Sequence, residues 1–333
     1  RRFGMERTLL ASLLVVAAGI LLRSAGAVAA LFLGTAVLGA AIAVGNVLLP
    51  GLVKREFPER AGLMTSAYST ALGISATLAA GVSVPVAHLT GVGWRGSLAL
   101  WALPALLAAV AWVPQLRCND RPANASARTS YGVNDLWRSS LAWQVTLFMG
   151  LQSLAYYVAL TWLPEILREE GMSAARAGWM LALSQAVAIV SMFFTPVIAG
   201  RRPSQRGVAV AAVALSGAGT LGLLLAGSTA GTLWVVLLGL GQGACFSLAL
   251  TFFALRAPDS EHAAALSGMA QSVGYLLAAV GPSLFGVLRD ATHAWKVPLA
   301  LLLAVTVCLL IAGLGAARDA HVATPTPEDN ARG

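Results

Sequence analysis

The sequence predicts an all-α membrane protein made of two pseudo-symmetric bundles of spanning helices, with about ten helices present of an expected twelve. The first observation is composition: 58% of the 333 residues are hydrophobic and 11% are charged, whereas a soluble domain carries about a quarter charged residues. The second is a series of long apolar runs. The third is an internal repeat, because Arg1 and Arg2 fall on Arg201 and Arg202 when the chain is shifted by 200 positions.

The apolar runs have the length of spanning helices. A helix rises about 1.5 Å per residue and the hydrocarbon layer is about 30 Å thick, so a run near 20 residues crosses it. The runs are continuous rather than alternating, which excludes the strands of a barrel. Ten runs follow one another: residues 8–22, 25–50, 61–87, 97–115, 140–163, 177–199, 207–227, 231–255, 263–288 and 297–316.

One long polar stretch divides these runs into two groups. Residues 117–139 contain four arginines and many small polar residues, so they can neither enter hydrocarbon nor build a core. We therefore predict an incomplete N-terminal bundle of four helices in residues 1–116, a cytoplasmic linker in 117–139 and a six-helix C-terminal bundle in 140–316. The polar tail 317–333 is expected to be disordered.

The repeat also bears on the N-terminus. Two apolar runs precede Arg201 in the second half, and none precedes Arg1, so two helices are expected to be missing from the first copy. A genuine ten-helix protein is the alternative. The basic start followed by an apolar run and small residues also fits a secretory signal. The repeat favours an internal loop, because the corresponding residues 201–227 lie inside the chain.

The distribution of basic residues predicts the orientation. Sixteen of the 22 Lys and Arg residues fall on the side that holds the linker and the C-terminus, and the side richer in basic residues faces the cytoplasm. We expect a multi-pass protein of the cell inner membrane with the linker and C-terminus in the cytoplasm. The expected partners are a small-molecule solute and the lipid bilayer, without nucleic acid, and the protein is expected to be monomeric.

Four stretches of the sequence carry a resemblance: GNVLLPGLVKREFPERAGLMTSAYSTALG (45–73), MGLQSLAYYVALTWLPEIL (149–167), GLGQGACFSLALTFFALRA (239–257) and ALSGMAQSVGYLLAAVGP (265–282). They resemble the cyanate and nitroimidazole transporter branch of the major facilitator superfamily. The resemblance implies two six-helix bundles and alternating access to a cavity at the membrane midplane. Arg1 and Arg2 belong to a segment similar to the tail of the superfamily's cytoplasmic loop signature. Arg201 and Arg202 belong to a degenerate second copy without the acidic residue.

The basic loops are candidates for gating. Charges at helix ends can bridge in one conformation and separate in the other. We therefore interpret Arg1, Arg2, Arg201 and Arg202 as gating residues that act on the conformational cycle rather than on solute affinity. The alternative is that these arginines only enforce the topology.

The polar residues inside the runs are uncharged. All fourteen acidic residues fall in loops, tails or helix ends, which argues against a cation exporter or coupling through a buried carboxylate in the visible part. Uncharged hydrogen-bonding side chains on several helices favour a polar cavity for a small asymmetric solute. Taken singly, each would more simply form a bond between helices. The candidate substrate-binding residues are Asn46, Tyr68, Gln152, Tyr156, Gln185, Gln242 and Gln271.

Other residue types suggest structure rather than chemistry. The three cysteines lack metal-ligand spacing, and His88, His262 and His293 lie at membrane edges, so we predict no metal, no cofactor and no catalytic residue. Glycines within the runs are expected to let helices approach closely. Prolines are expected to kink or end helices. These prolines are Pro50, Pro85, Pro104, Pro164, Pro196 and Pro282.

These observations together predict a secondary active transporter. The chain has no ATP-binding loop, and its tandem halves are typical of transporters. The expected solute is small, neutral or weakly anionic, and cyanate- or nitroimidazole-like by the resemblance. The alternative is efflux of drugs or other small molecules. A membrane-embedded enzyme or a sensor without transport is a remote alternative, because the runs lack a nucleophile with a base beside it and the chain lacks a soluble domain.

Overall fold

The computed structural model describes residues 4–89, 93–118, 133–227 and 229–322, and within these ranges it contains helices and no strand. The prediction of an all-α fold is confirmed. The helices are α1 Gly4–Arg23, α2 Val28–Glu56, α3 Ala61–Leu89, α4 Gly93–Leu100, α5 Ala102–Trp112, α6 Ser140–Glu169, α7 Ala174–Gly200, α8 Arg206–Ala226, α9 Gly231–Leu255, α10 Ser260–Thr292 and α11 Lys296–Ala316.

Nine helical segments in the described part of the chain are long and apolar enough to cross a membrane. They coincide with nine of the ten predicted runs. The remaining run, 61–87, forms the 29-residue helix α3, whose length of about 43 Å exceeds the hydrocarbon layer. Most helices extend beyond the predicted bounds, because charged residues at their ends, such as Glu56 and Glu169, are also helical.

One predicted run is divided in two. The run 97–115 consists of α4 and α5, and the chain turns at Trp101 between them. Pro104 explains the break, because its nitrogen cannot donate to the carbonyl of Leu100 and its ring crowds that carbonyl. A 3-10 helix, Val113–Cys118, follows α5.

The chain forms two compact units, and the first contains the described residues up to Leu52 and from 75 to 118. In this unit α1 packs against α5, and Ala17, Ile20 and Ala102 are buried between them. The backbone of α2 approaches α1 at Gly19, where an added Cβ would lie 2.9 Å from the backbone nitrogen of Leu38.

The second unit contains Val53–Ile74 and the described residues from 133 onward. Helix α6 contacts α7, α9, α10 and α11, and α9 lies between α7 and α8. The buried rings of Phe148 on α6 and Phe252 on α9 meet edge to face with centroids 5.5 Å apart. Glycines of α9 allow these approaches, because a Cβ on Gly239 would collide with α7 and one on Gly241 with α8.

The first half of α3 belongs to this second unit and packs along α7. Gly62 meets the backbone of Gly200, and a Cβ on Gly73 would lie 3.1 Å from Cγ1 of Ile189. The two helices are therefore antiparallel here, joined through small residues. Between these points the Ser66 hydroxyl donates to the carbonyl of Phe193 at 2.6 Å.

The predicted repeat recurs in the packing of both units. A Cβ on Gly219 of α8 would lie 2.6 Å from the backbone nitrogen of Leu238 on α9. This contact reproduces the contact of Gly19 with Leu38 at an offset of 200, since 219 minus 19 and 238 minus 38 both give 200. The sequence repeat therefore corresponds to a repeated helix crossing. The predicted bounds of bundles, linker and tail stay predictions.

The beginning of the C-terminal tail is ordered, contrary to the sequence prediction. Val322 is buried, and its backbone N–H donates to the carbonyl of Arg256 at 2.8 Å. Ala317 and Val322 both belong to the main hydrophobic cluster of the second unit. The disorder prediction was wrong for residues 318–322, because one apolar anchor and one backbone bond hold a segment whose composition is polar.

Candidate functional site

Uncharged polar side chains of the second unit gather around residues 152–157 of α6. The Gln242 amide on α9 donates to the carbonyl of Ala155 at 3.3 Å. Tyr156 follows directly and forms a side-chain hydrogen bond with Gln185 on α7. Three of the predicted residues thus meet within one turn of α6. We call this group, extended below, the polar cluster.

Three further tyrosines extend the polar cluster toward α10 and α3. The rings of Tyr156 and Tyr157 meet edge to face with centroids 5.5 Å apart. Tyr275 on α10 lies within electrostatic range of Tyr157 and of Tyr68 on α3. The Tyr68 hydroxyl is buried beside Thr65 and forms no hydrogen bond of regular geometry with the described residues. Tyr68 and Tyr275 both pack against the main hydrophobic cluster of the second unit, so the predicted Tyr68 lies on the same buried surface as Tyr275.

Gln152 and Gln271 flank a close crossing of α6 and α10. The backbones touch at Gly150 and Gly274, where a Cβ on Gly150 would lie 2.9 Å from the Gly274 Cα. Both glutamines are buried. The Gln152 amide donates to the Met149 carbonyl at 3.1 Å and to the Ser153 hydroxyl at 2.7 Å.

The Gln271 amide donates to the hydroxyl of Ser267, one turn earlier on α10, at 2.7 Å. Both glutamines thus use their amide donors within their own helices. Amide side chains also carry a carbonyl acceptor with two lone pairs. A rotation about the side chain would present either group to a solute.

Asn46 lies in the first unit on α2, one turn before Pro50. Pro50 lacks an N–H, so the backbone carbonyl of Asn46 loses its helical partner. The side chain is half-buried. Asn46 is thus on a helix with a local irregularity, and its place in a solute site stays a prediction.

Carboxylates in the described ranges lie at helix ends or in connections. Glu165 and Glu169 are near the end of α6, where they pair with Arg168 at 2.8 Å and Arg289 at 2.6 Å. Asp259 caps α10 and contacts the ring of His262 at 2.9 Å. No group of His, Cys, Asp and Glu that could hold a metal occurs in the described part of the chain. The polar cluster therefore consists of neutral donors and acceptors.

Sequence reasoning missed Tyr157 as a member of the cluster. The residues around Tyr156 and Tyr157 have no amphipathic period, so the sequence does not show which of the two side chains belongs to the cluster. Tyr157 is 41% exposed. Its ring contacts that of the predicted Tyr156, and it interacts electrostatically with Tyr275, which was not predicted either.

The predicted gating residues have different outcomes. Arg1 and Arg2 lie outside the described residues. Arg201 and Arg202 are exposed and follow the end of α7. The neighbouring Gln205 is buried, and its amide donates to the carbonyls of Ala199 at 3.1 Å and Arg202 at 2.6 Å.

Arg256 is the buried cation at this end of the second unit. Its guanidinium donates to the carbonyl of Ala316 at 2.8 Å and to the side-chain oxygen of Gln205. Burial lowers the pKa of Arg256 to about 10, although nearby Asp319 acts in the opposite direction. We call Arg256, Gln205 and the tail residues 317–322 the Arg256 cluster. The cluster joins the ends of α7, α9 and α11 to the start of α8.

Comparison with known proteins gives a consistent result. Residues 1–282 match the model of the Major Facilitator Superfamily. The chain is 47% identical over 323 residues to the uncharacterized transporter YycB of Bacillus subtilis, covering 97% of this chain and 80% of that protein. It is 46% identical over 322 residues to the 2-nitroimidazole transporter of Escherichia coli, covering 97% and 81%.

A more distant relative and a solved structure agree. The cyanate transport protein CynX of Escherichia coli is 29% identical over 286 residues, covering 86% of this chain and 73% of that protein. The crystal structure of the transporter FucP in the outward conformation matches with a TM-score of 0.71 at 14% identity, covering 94% of this chain and 83% of FucP. The latter likeness concerns the fold alone.

Proposed function

Because this chain belongs to the Major Facilitator Superfamily, whose members move small solutes through membranes, we propose that it carries a small neutral or weakly anionic solute by alternating access. The solute class follows from the relatives, which are named for 2-nitroimidazole and cyanate. We propose the bacterial inner membrane as the location, with the linker and the C-terminus in the cytoplasm. We further propose that the protein works as a monomer.

The polar cluster is the observation that supports this solute class. Its members offer amide and phenol groups, which supply donors and acceptors without a fixed charge. A strongly charged solute would need a countercharge in a low-dielectric site, and the described carboxylates lie at helix ends. A small planar molecule with one or two polar atoms can exchange its hydration for such hydrogen bonds. The substrate-binding residues proposed from the second unit are Tyr68, Gln152, Tyr156, Gln185, Gln242 and Gln271, together with Tyr157 and Tyr275.

We propose that Arg201 and Arg202 act on the conformational cycle. They follow α7 directly, so a change at this helix end moves their charges. Replacing both with glutamine is expected to slow transport while leaving solute binding nearly intact. An unchanged transport rate with normal membrane insertion would mean that the arginines only set the topology.

Uptake into proteoliposomes tests the function. The full chain is reconstituted, and the entry of radiolabelled 2-nitroimidazole and of cyanate is measured against liposomes without protein. Saturable uptake of either solute, inhibited by an excess of the same unlabelled solute, is expected. A matched measurement with a labelled organic cation of similar size should show no uptake above the protein-free background. Equal transport of the cation would contradict the neutral or weakly anionic solute class.

A further inference from the structure

The connection between α7 and α8 carries three exposed arginines whose side chains have no partner among the described residues. α7 ends at Gly200 and α8 begins at Arg206, and both are candidate membrane spans. Residues 201–206 therefore lie at the depth of the lipid headgroups. Arg201, Arg202 and Arg206 are all exposed at this level.

The charge of these arginines is uncompensated in the described part of the chain. Three other arginines have acidic partners: Arg168 pairs with Glu165 at 2.8 Å, and Arg289 pairs with Glu169 at 2.6 Å. Arg55 pairs with Glu56 at 2.8 Å. The side chains of Arg201, Arg202 and Arg206 form no hydrogen bond or ion pair with any described residue. Three positive charges thus lie at the membrane surface without an acidic partner among the described residues.

The backbone that carries these arginines is fixed. Gln205 is 2% exposed, and its amide holds the carbonyls of Ala199 and Arg202. Its own backbone N–H donates to the carbonyl of Ala317 at 3.2 Å. A ligand therefore has to order only the arginine side chains, which lowers the entropic cost of binding.

We propose that Arg201, Arg202 and Arg206 form a binding site for the phosphate headgroup of an anionic phospholipid. Guanidinium groups recognise phosphate oxygens through paired, charge-assisted hydrogen bonds. Inorganic phosphate has the same chemistry, but the lipid is held at the membrane surface and so reaches the loop at a high effective concentration. This site does not rest on the proposed solute or on the gating proposal.

Lipid binding to the purified full chain tests the site. The chain in an uncharged detergent is titrated with phosphatidylglycerol, phosphatidylcholine or inorganic phosphate, and bound molecules are counted by native mass spectrometry. The test variant is R201Q/R202Q/R206Q. The matched control is R176Q/K296Q, which removes two exposed basic residues at the starts of α7 and α11. The three arginines lie at the other end of α7, so the control changes the charge away from the proposed site. A lysine variant, R201K/R202K/R206K, retains the charge.

The expected result is tight binding of phosphatidylglycerol to the parent and to the control, with little binding of phosphatidylcholine. Each basic residue near an anionic surface contributes about a fivefold change in binding, so the triple glutamine variant should bind about a hundredfold more weakly. The lysine variant should keep most of the affinity. If the glutamine variant loses binding and the lysine variant keeps it, the loss is due to the charge. The single replacement R202Q, which is a milder change, should weaken binding about fivefold.

Two results would overturn the proposal. If the triple glutamine variant binds phosphatidylglycerol as the parent does, the three arginines do not hold the lipid. If inorganic phosphate occupies the site as tightly as phosphatidylglycerol and displaces it, the site takes free phosphate, and the assignment to lipid is wrong.

Discussion

The hydroxyl of Ser69 on α3 donates to the carbonyl of Met192 on α7 at 3.2 Å. Met192 is four residues before Pro196, which has no N–H, so this carbonyl lacks its helical partner. Ser69 is fully buried. A side chain from one helix thus supplies the hydrogen bond that a proline removes from another.

Replacing Ser69 with alanine should destabilise the protein because the Met192 carbonyl loses its donor. Hydrogen bonds between helices in membranes average about 0.6 kcal/mol and reach about 1.7 kcal/mol. We therefore expect a loss of about 1 kcal/mol for Ser69→Ala, seen as a lower Tm in detergent. In a Pro196→Ala background the restored N–H should make the same change nearly neutral.

Ser191→Ala is the control for this pair. Ser191 donates within α7 to the carbonyl of Ala188 at 2.9 Å, so its removal leaves no proline-related carbonyl unpaired. It should change the Tm less than Ser69→Ala does. Equal effects of Ser69→Ala with and without Pro196 would show that the serine does not compensate for the proline.

Gln152→Leu and Gln271→Leu should each weaken solute binding about two- to tenfold at unchanged expression. The loss of one hydrogen bond to a neutral ligand costs about 0.5 to 1.5 kcal/mol. Binding is measured by scintillation proximity with the labelled solute that the uptake assay identifies. Gln144→Leu is the control, because Gln144 lies near the start of α6 and bonds Arg318 at 2.9 Å. If both cluster variants bind like the parent, these glutamines serve only the crossing of α6 and α10.

Arg256→Leu should destabilise the second unit by about 3 kcal/mol. The change leaves the buried acceptors of Gln205 and Ala316 without a charged donor, and hydrogen bonds to charged groups contribute about 1.5 to 3 kcal/mol each. Chemical denaturation in mild detergent measures the effect. Arg176→Leu, at an exposed position, should be close to neutral. In a double variant with Gln205→Leu the loss should be smaller than the sum of the two single losses, because Arg256 and Gln205 share one hydrogen bond.

Acidification should loosen the docked tail through His321. Burial lowers the pKa of His321, and the charges of Lys54 and Arg256 lower it further against the opposing effect of Asp319. The folded pKa is therefore below the unfolded value of about 6.5. The unfolded or undocked tail binds more protons in this range, so docking weakens as the pH falls below about 6.5.

Hydrogen exchange at Val322 reports this effect, since its amide bonds the carbonyl of Arg256. Protection, corrected for the intrinsic exchange rate, should fall between pH 7 and pH 5. In His321→Gln the change over this range should be smaller. If protection at Val322 falls by the same factor between pH 7 and pH 5 in both proteins, His321 is not the group that loosens the tail.

The topology prediction can be checked with Cys118, which belongs to the predicted cytoplasmic linker. A membrane-impermeant thiol reagent applied to intact cells should leave Cys118 unlabelled and should label it after lysis. Cys245 is buried, and Cys308 lies within α11. Cys118→Ser is the control that assigns the signal. Labelling in intact cells would reverse the predicted orientation.

The helices were predictable because continuous apolar runs of this length have few other stable structures in a membrane. Their ends were less predictable, since charged residues such as Glu56 and Glu169 continue the helices beyond the apolar runs. A proline in a spanning helix either kinks the helix or interrupts it. The sequence around Pro104 is compatible with both, so the break at Trp101 was not predictable.

The site was predictable by residue type and less so by position. Buried amides and phenols in an apolar helix stand out in the sequence, and the structure brings Tyr156, Gln185 and Gln242 together. The rotation of α6 was not predictable, because a helix that is apolar on most sides has no amphipathic period. Tyr157 was missed for this reason. Gly39 and Gly45 also differ from expectation, since a Cβ on either meets no atom of the described residues within 4 Å.

The crossing at Gly19 and Leu38, reproduced at Gly219 and Leu238, sets the same steric requirement in both halves. A side chain larger than hydrogen at either glycine would collide with the backbone of the facing helix. Asn46 and Phe246, which are separated by the same offset of 200, differ in both size and polarity. The steric requirement at the crossing therefore holds in both halves, while their other side chains need not match.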